Sequence, residues 1–77
     1  MKDKNKMQYA ERIQNATVLI KSMIAKNKGT FITYYGVLDI LQTNYGLGES
    51  FLKKQIIKYQ DMGLCELKEE DNLIKCI

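Results

Sequence analysis

Residues 46–67 read GLGESFLKKQIIKYQDMGLCEL and contain one complete helix with its start and stop signals. The helix begins at Glu49 or Ser50, and Gly63 ends it at the position where helices favour a left-handed residue. Apolar residues recur at intervals of four and three, as on one side of an α-helix. The residues on this stripe are Leu52, Ile56 and Tyr59. The stretch therefore predicts a helix over about 50–62 that buries one side.

A first helix is predicted over residues 8–27, where apolar residues recur at three- and four-residue spacing. Its inward side is formed by Ile13, Ala16, Thr17, Ile20, Met23 and Ile24. Val18 and Leu19 widen the apolar surface, and they suit either a dimer seam or the core of a small domain. Residues 1–7 have no apolar period and are predicted to form a flexible N-terminal arm.

A second helix is predicted over residues 34–44, with Thr33 as its N-cap because the hydroxyl can accept a hydrogen bond from the first turn. The β-prone residues 30–32 before it suit a short strand or an extended linker. The helix stops at residues 44–48, where two glycines bracket Leu47 and turn it back to the core. Its inward residues are Tyr34, Val37, Leu38 and Leu41.

Two short strands, 64–68 and 73–77, follow the third helix on either side of a polar turn. With the turn centred on Glu70 and Asp71, three kinds of pair fall into register together: an apolar pair, an ion pair and a cysteine pair. These pairs are Leu67 with Ile74, Glu66 with Lys75, and Cys65 with Cys76. The agreement predicts a C-terminal β-hairpin.

The predicted order is helix, extended segment, helix, turn, helix and hairpin. This order and the segment 46–67 resemble the recognition-helix region of bacterial and archaeal winged helix-turn-helix transcription regulators. Six residues match that pattern: Ser50, Leu52, Ile56, Tyr59, Gly63 and Leu64. The resemblance covers residues 30–77 well and the first helix loosely. It implies a mainly α domain over 8–77, of the α+β class with three helices plus a wing, that binds double-stranded DNA.

The resemblance places the helix at 50–62 in the major groove, with its N-terminal residues towards base edges. Lysine neutralises phosphates or donates to guanine, glutamine pairs with adenine, and phenylalanine contacts the thymine methyl group. The residues expected to point outward and bind DNA are Ser50, Phe51, Lys53, Lys54, Gln55 and Lys58. The alternative for this side of the helix is an ordinary solvated surface. Because one helix reads only a few base pairs, a homodimer is expected.

Charge is distributed unevenly along the chain. Residues 1–32 carry seven basic and two acidic side chains, whereas residues 64–77 carry two basic and four acidic ones. The basic half suits either a phosphate backbone or a solvated surface. The wing tip, Glu69-Glu70-Asp71, repels phosphate. Either the wing points away from DNA, or the fold is a protein-interaction module, an adaptor or mobile-element effector, with a basic partner.

The sequence contains no histidine and two cysteines, Cys65 and Cys76, which cannot build a tetrahedral zinc site alone. The pair suits either a cross-strand disulfide or reduced side chains packed in a cytosolic core. No catalytic constellation or phosphate-binding glycine loop is present, so we expect neither an enzyme nor a cofactor nor a small-molecule ligand. Without a membrane-spanning apolar run or a signal sequence, the expected location is the cytoplasm.

Overall fold

The computed structural model describes residues 8–77, and the predicted arm over residues 1–7 lies outside them. The elements are α1 (Tyr9–Lys26), β1 (Phe31–Thr33), α2 (Tyr34–Tyr45), α3 (Glu49–Asp61), β2 (Cys65–Lys68) and β3 (Leu73–Cys76). The three helices and the hairpin predicted from the sequence are confirmed. The fold is of the α+β class, with the layout of a winged helix.

Glycines end α2 and α3 at positions that strain other residues. Gly46 follows α2 with a φ angle of 65°, and Gly63 follows α3 with a φ angle of 78°. Glycine has no Cβ atom, so it adopts these left-handed angles at little cost. The turn at Gly46 returns Leu47 to the core, as predicted. The helix-turn-helix angle is therefore held by backbone conformation and by one buried side chain.

The three strands form one antiparallel sheet in the order β1-β3-β2. In the hairpin, Cys65 pairs with Cys76, Glu66 with Lys75, and Leu67 with Ile74. This register is the predicted one. The segment before α2 is a strand rather than a linker, and it pairs with β3 through Phe31–Lys75, Ile32–Ile74 and Thr33–Leu73. Strand β3 therefore joins the wing to the start of α2.

Two local predictions are wrong. Thr33 is the N-cap residue of α2, but its hydroxyl makes no capping hydrogen bond. The N–H of Tyr34 instead donates to the carbonyl of Asn72 at 2.9 Å, because strand pairing brings the wing turn close to the start of α2. The ion pair at Glu66 is with Lys68 at 3.3 Å rather than with Lys75. Residues two apart on a strand share a face, so both lysines compete for this exposed carboxylate.

The core lies between the three helices and the inner face of the sheet. Its fully buried side chains include Ile20, Val37, Leu41, Leu52, Ile56 and Ile74. Val18 and Leu19, which widened the apolar surface of α1, have different environments. Val18 is 60% exposed, whereas Leu19 packs partly against the core. Every helix contributes to the single core, which fixes the rotation of α3 about its axis.

Ile56 and Ile57 provide a matched pair of substitutions on α3, because Ile56 is 1% exposed and Ile57 is 56% exposed. We expect Ile56→Ala to lower the free energy of unfolding by about 2–5 kcal/mol, because truncation leaves a cavity in the core. Ile57→Ala removes atoms already in contact with water, so we expect a loss of about 0.5 kcal/mol or less. Urea denaturation measures both, and equal losses would contradict the orientation of α3.

Candidate nucleic-acid interface

One row of polar side chains runs along the exposed side of α3. Ser50, Lys54 and Lys58 are spaced by four residues, so they lie one above the other on the helix, and all three are exposed. Ile57 lies beside this row and is also exposed. These residues present a hydroxyl, two ammonium groups and an apolar side chain to solvent. Of the predicted site, the structure brings Ser50, Lys54 and Lys58 together in this row.

Lys53 lies apart from this row. Its side chain is exposed but lines a groove between α3 and the wing, together with Leu67 and Glu69. An ammonium group beside a carboxylate has less positive potential to offer to phosphate than one that stands alone. Lys53 is therefore better placed to interact with the wing than Lys54 or Lys58.

Phe51 and Gln55 lie on the flank of α3 away from Lys53, because residues two apart differ by about 200° around a helix. Both are half-buried, and Phe51 packs against the core. The Oε1 atom of Gln55 is buried and accepts no hydrogen bond within residues 8–77. The expectation that both side chains point outward is wrong, because this flank turns towards Tyr59 and the core. Their predicted contacts with bases remain untested.

The wing is bonded directly to α3. The N–H of Leu67 donates to Oε1 of Gln60 at 2.9 Å, which satisfies a backbone group on the free edge of β2. On the same flank, the hydroxyl of Tyr34 donates to Oε2 of Glu49 at 3.1 Å. Glu69 and Glu70 line the groove between these two contacts. The flank that faces the wing is therefore mainly acidic.

Tyr34 is a buried titratable group beside this groove. Burial and, next, its hydrogen bond to Glu49 raise the pKa of Tyr34 from its ordinary value of 10.0 to about 12. A tyrosine with a raised pKa holds its proton more tightly in the folded state, so stability is complete below pH 10 and falls as the pH rises towards 12.

We expect the wild-type free energy of unfolding to fall by about 1–2 kcal/mol on account of Tyr34 between pH 10 and pH 12. Tyr34→Phe removes that part of the decrease, and at pH 7 it costs about 1 kcal/mol for the lost hydrogen bond. Tyr35→Phe, at the exposed neighbouring position, is the control and keeps the decrease. Denaturation by urea across this pH range is the measurement. An alkaline profile that Tyr34→Phe leaves unchanged would contradict the assignment.

Arg12 is a candidate interface residue that the sequence analysis missed. Its Nη1 atom lies 3.8 Å from the point that a Cβ atom at Gly46 would occupy, so the guanidinium adjoins the turn before α3. It is the single arginine of the chain, but no local pattern indicates that the first turn of α1 reaches this turn. Ile57 was missed too, although its apolar character outside the buried stripe was a signal that the sequence did offer.

Cys65 and Cys76 are both buried and free. The N–H of Ile77 donates to the carbonyl of Leu64, so the neighbouring cysteine pair is of the closer, non-hydrogen-bonded kind. Burial raises the pKa of each thiol. Of the two predicted states, the structure therefore shows reduced cysteines packed in the core, without a disulfide between them. Across residues 8–77, no three side chains of the metal-ligating types come together.

None of the known protein-family models, curated proteins or solved structures matches this chain. The class of the molecule is therefore defined by its own architecture: three helices and an antiparallel wing, with α3 exposed along one side. In the described part of the chain, no helix is both long enough and apolar enough to cross a bilayer.

Proposed function

We propose that the protein is a winged helix-turn-helix regulator of transcription that binds double-stranded DNA through α3 in the cytoplasm. The observation that carries the proposal is the exposed row of Ser50, Lys54 and Lys58 on a helix whose opposite side is buried in the core. A major groove admits one α-helix, and a helix held this way presents the whole row to it. The ammonium groups neutralise phosphates or donate to guanine, and Ser50 donates to a base or to the backbone.

Ile57 adds an apolar contact to this proposed surface. Its side chain is more than half exposed and lies between Lys54 and Lys53, at the edge of the groove that Lys53 and Glu69 also line. Apolar side chains recognise the methyl group of thymine in the major groove. The residues proposed to read DNA are therefore Ser50, Lys54, Ile57 and Lys58, with Lys53 turned towards the wing.

A homodimer forms part of the same proposal, because one helix covers too few base pairs for useful specificity. Val18 is a large aliphatic side chain that α1 exposes to solvent, and it lines a shallow depression with Leu19 and Tyr45. This depression is the surface proposed for the second copy.

The double variant Lys54→Gln/Lys58→Gln tests the role of α3. Each phosphate contact contributes about 0.9 to the slope of log affinity against log salt, so we expect the slope to fall by about 1.8 if both lysines bind phosphate. The matched control is Lys21→Gln/Lys28→Gln, which changes the charge equally around a depression beside Leu64 and Ile77. Fluorescence anisotropy with a random-sequence duplex, at about 50 to 200 mM salt, is the measurement.

If the two double variants lowered the salt slope equally, the binding would be a general attraction by net charge. That result would contradict the role of α3. Wild-type protein that binds no duplex at low salt would overturn DNA binding altogether. Two protomers per duplex are expected at saturation, and one protomer per duplex would remove the homodimer from the proposal.

A second function, as a protein-interaction module, is favoured by the groove between α3 and the wing. A recess of about 150 Å³ suits one side chain rather than a cofactor, and its lining includes Tyr34, Tyr35, Glu49 and Glu69, with Lys53 as its one cation among residues 8–77. Carboxylates beside aromatic rings attract cations, so a lysine or arginine of a partner protein complements this recess. In this alternative, Lys54 and Lys58 are solvated surface residues.

The variant Glu69→Lys/Glu70→Lys separates the two functions. For DNA binding through α3, we expect tighter binding and a steeper salt dependence, because two groups that repel phosphate become attractive. For the protein-interaction module, the same change abolishes binding of a lysine- and arginine-rich peptide, measured by calorimetry. Wild-type protein that binds this peptide but no duplex would establish the second function and exclude the first.

A further inference from the structure

Arg12 is held against the turn that precedes α3. Gly46 lies three residues before Glu49, the first residue of α3, so the two are at most about 11 Å apart along the chain. The guanidinium adjoins Gly46, because its Nη1 atom lies 3.8 Å from the point that a Cβ atom on this glycine would occupy. A side chain from the first turns of α1 therefore lies next to the end of α3 that is proposed to enter the major groove.

Within residues 8–77, the guanidinium of Arg12 makes no ion pair with a carboxylate. Its Nε atom is buried and donates no hydrogen bond within the described residues, and its Cζ atom lies 5.6 Å from the ring centre of Tyr9. The ion pair that the structure contains in residues 8–77 joins Lys68 to Glu66. A guanidinium carries five N–H donors in a rigid fork that matches phosphate oxygens. Among the described residues, Arg12 therefore offers a cation that no carboxylate neutralises.

Helix α1, which carries Arg12, meets α3 away from the wing. Going round α3 in one direction from the exposed row leads to Gln60, which bonds the wing at Leu67. Going round in the other direction leads to Tyr59, whose hydroxyl donates to the carbonyl of Thr17 in α1 at 3.4 Å. One flank of α3 therefore adjoins the acidic wing, and the other turns towards α1, whose Arg12 lies against the turn before α3.

We propose that Arg12 binds a phosphodiester of the DNA backbone beside the N-terminal end of α3, on the strand that borders α1. A major groove about 12 Å wide has a phosphate backbone on each side of an inserted helix. The backbone on the wing side meets carboxylates, whereas the backbone on the α1 side meets the guanidinium. Arg12 thus anchors the domain to one strand and does not read sequence. The inference rests on the proposed DNA binding.

Arg12→Gln is the main variant, with Arg12→Lys as the charge-preserving variant and Lys21→Gln as the control. For Arg12→Gln we expect about tenfold weaker binding to every duplex sequence and a salt slope lower by about 0.9. Arg12→Lys keeps the slope but loses part of the affinity, because an ammonium cannot make the bidentate contact. Lys21→Gln leaves both close to the wild-type values. Urea denaturation of each variant shows that the protein used is folded.

A duplex with single neutral methylphosphonates locates the contact. Wild-type protein should lose affinity at one phosphate position where Arg12→Gln loses none, and the effect should appear on one strand of each half-site. If wild-type protein binds DNA while Arg12→Gln matches it in affinity, slope and methylphosphonate profile, the Arg12 contact is refuted and DNA binding by α3 stands. If wild-type protein binds no duplex, both proposals fall together.

Discussion

The burial of Leu52, Ile56 and Tyr59 fixes the rotation of α3, and this rotation decides which side chains the helix shows to solvent. A change of one residue in the buried stripe would turn the helix by about 100° and take Lys54 and Lys58 out of their exposed row. The rotation is reinforced by polar contacts at the C-terminal end of α3. The hydroxyl of Tyr59 donates a hydrogen bond to a carbonyl of α1, and the side chain of Gln60 accepts one from the wing. Packing and hydrogen bonding thus specify the same orientation.

The sequence predicts the elements well because their signals are local. The apolar spacing in α3 and the glycines after α2 and α3 act within a few residues, and the hairpin register follows from matching side chains across one short turn. Leu47 was predicted correctly for the same reason, because the left-handed Gly46 beside it turns the chain back towards the core. Where the physical cause lies within one element or one turn, the sequence was sufficient, apart from the Glu66–Lys68 ion pair on β2 and the partial burial of Gln55 on α3.

The errors arise where two distant segments meet. Thr33 was expected to cap α2 with its hydroxyl, yet the acceptor for the first free N–H comes from Asn72 in the wing. Arg12 gave no local signal, because its place beside Gly46 depends on how α1 crosses the helix-turn-helix. The periodicity of a single sequence does not predict such contacts between segments that are far apart in the chain.

The wing is integrated into the domain rather than attached at its hinge alone. Its central strand pairs with β1 as well as β2, and its turn accepts a hydrogen bond from the start of α2. Each of these bonds would have to break for the wing to swing away from α3. The carboxylates of Glu69 and Glu70 therefore keep a fixed place relative to Lys54 and Lys58, and the two flanks of α3 keep opposite electrostatic character. In the proposed complex, one DNA backbone faces Arg12 on the α1 side, and the other faces Glu69 and Glu70, which Lys53 offsets only in part.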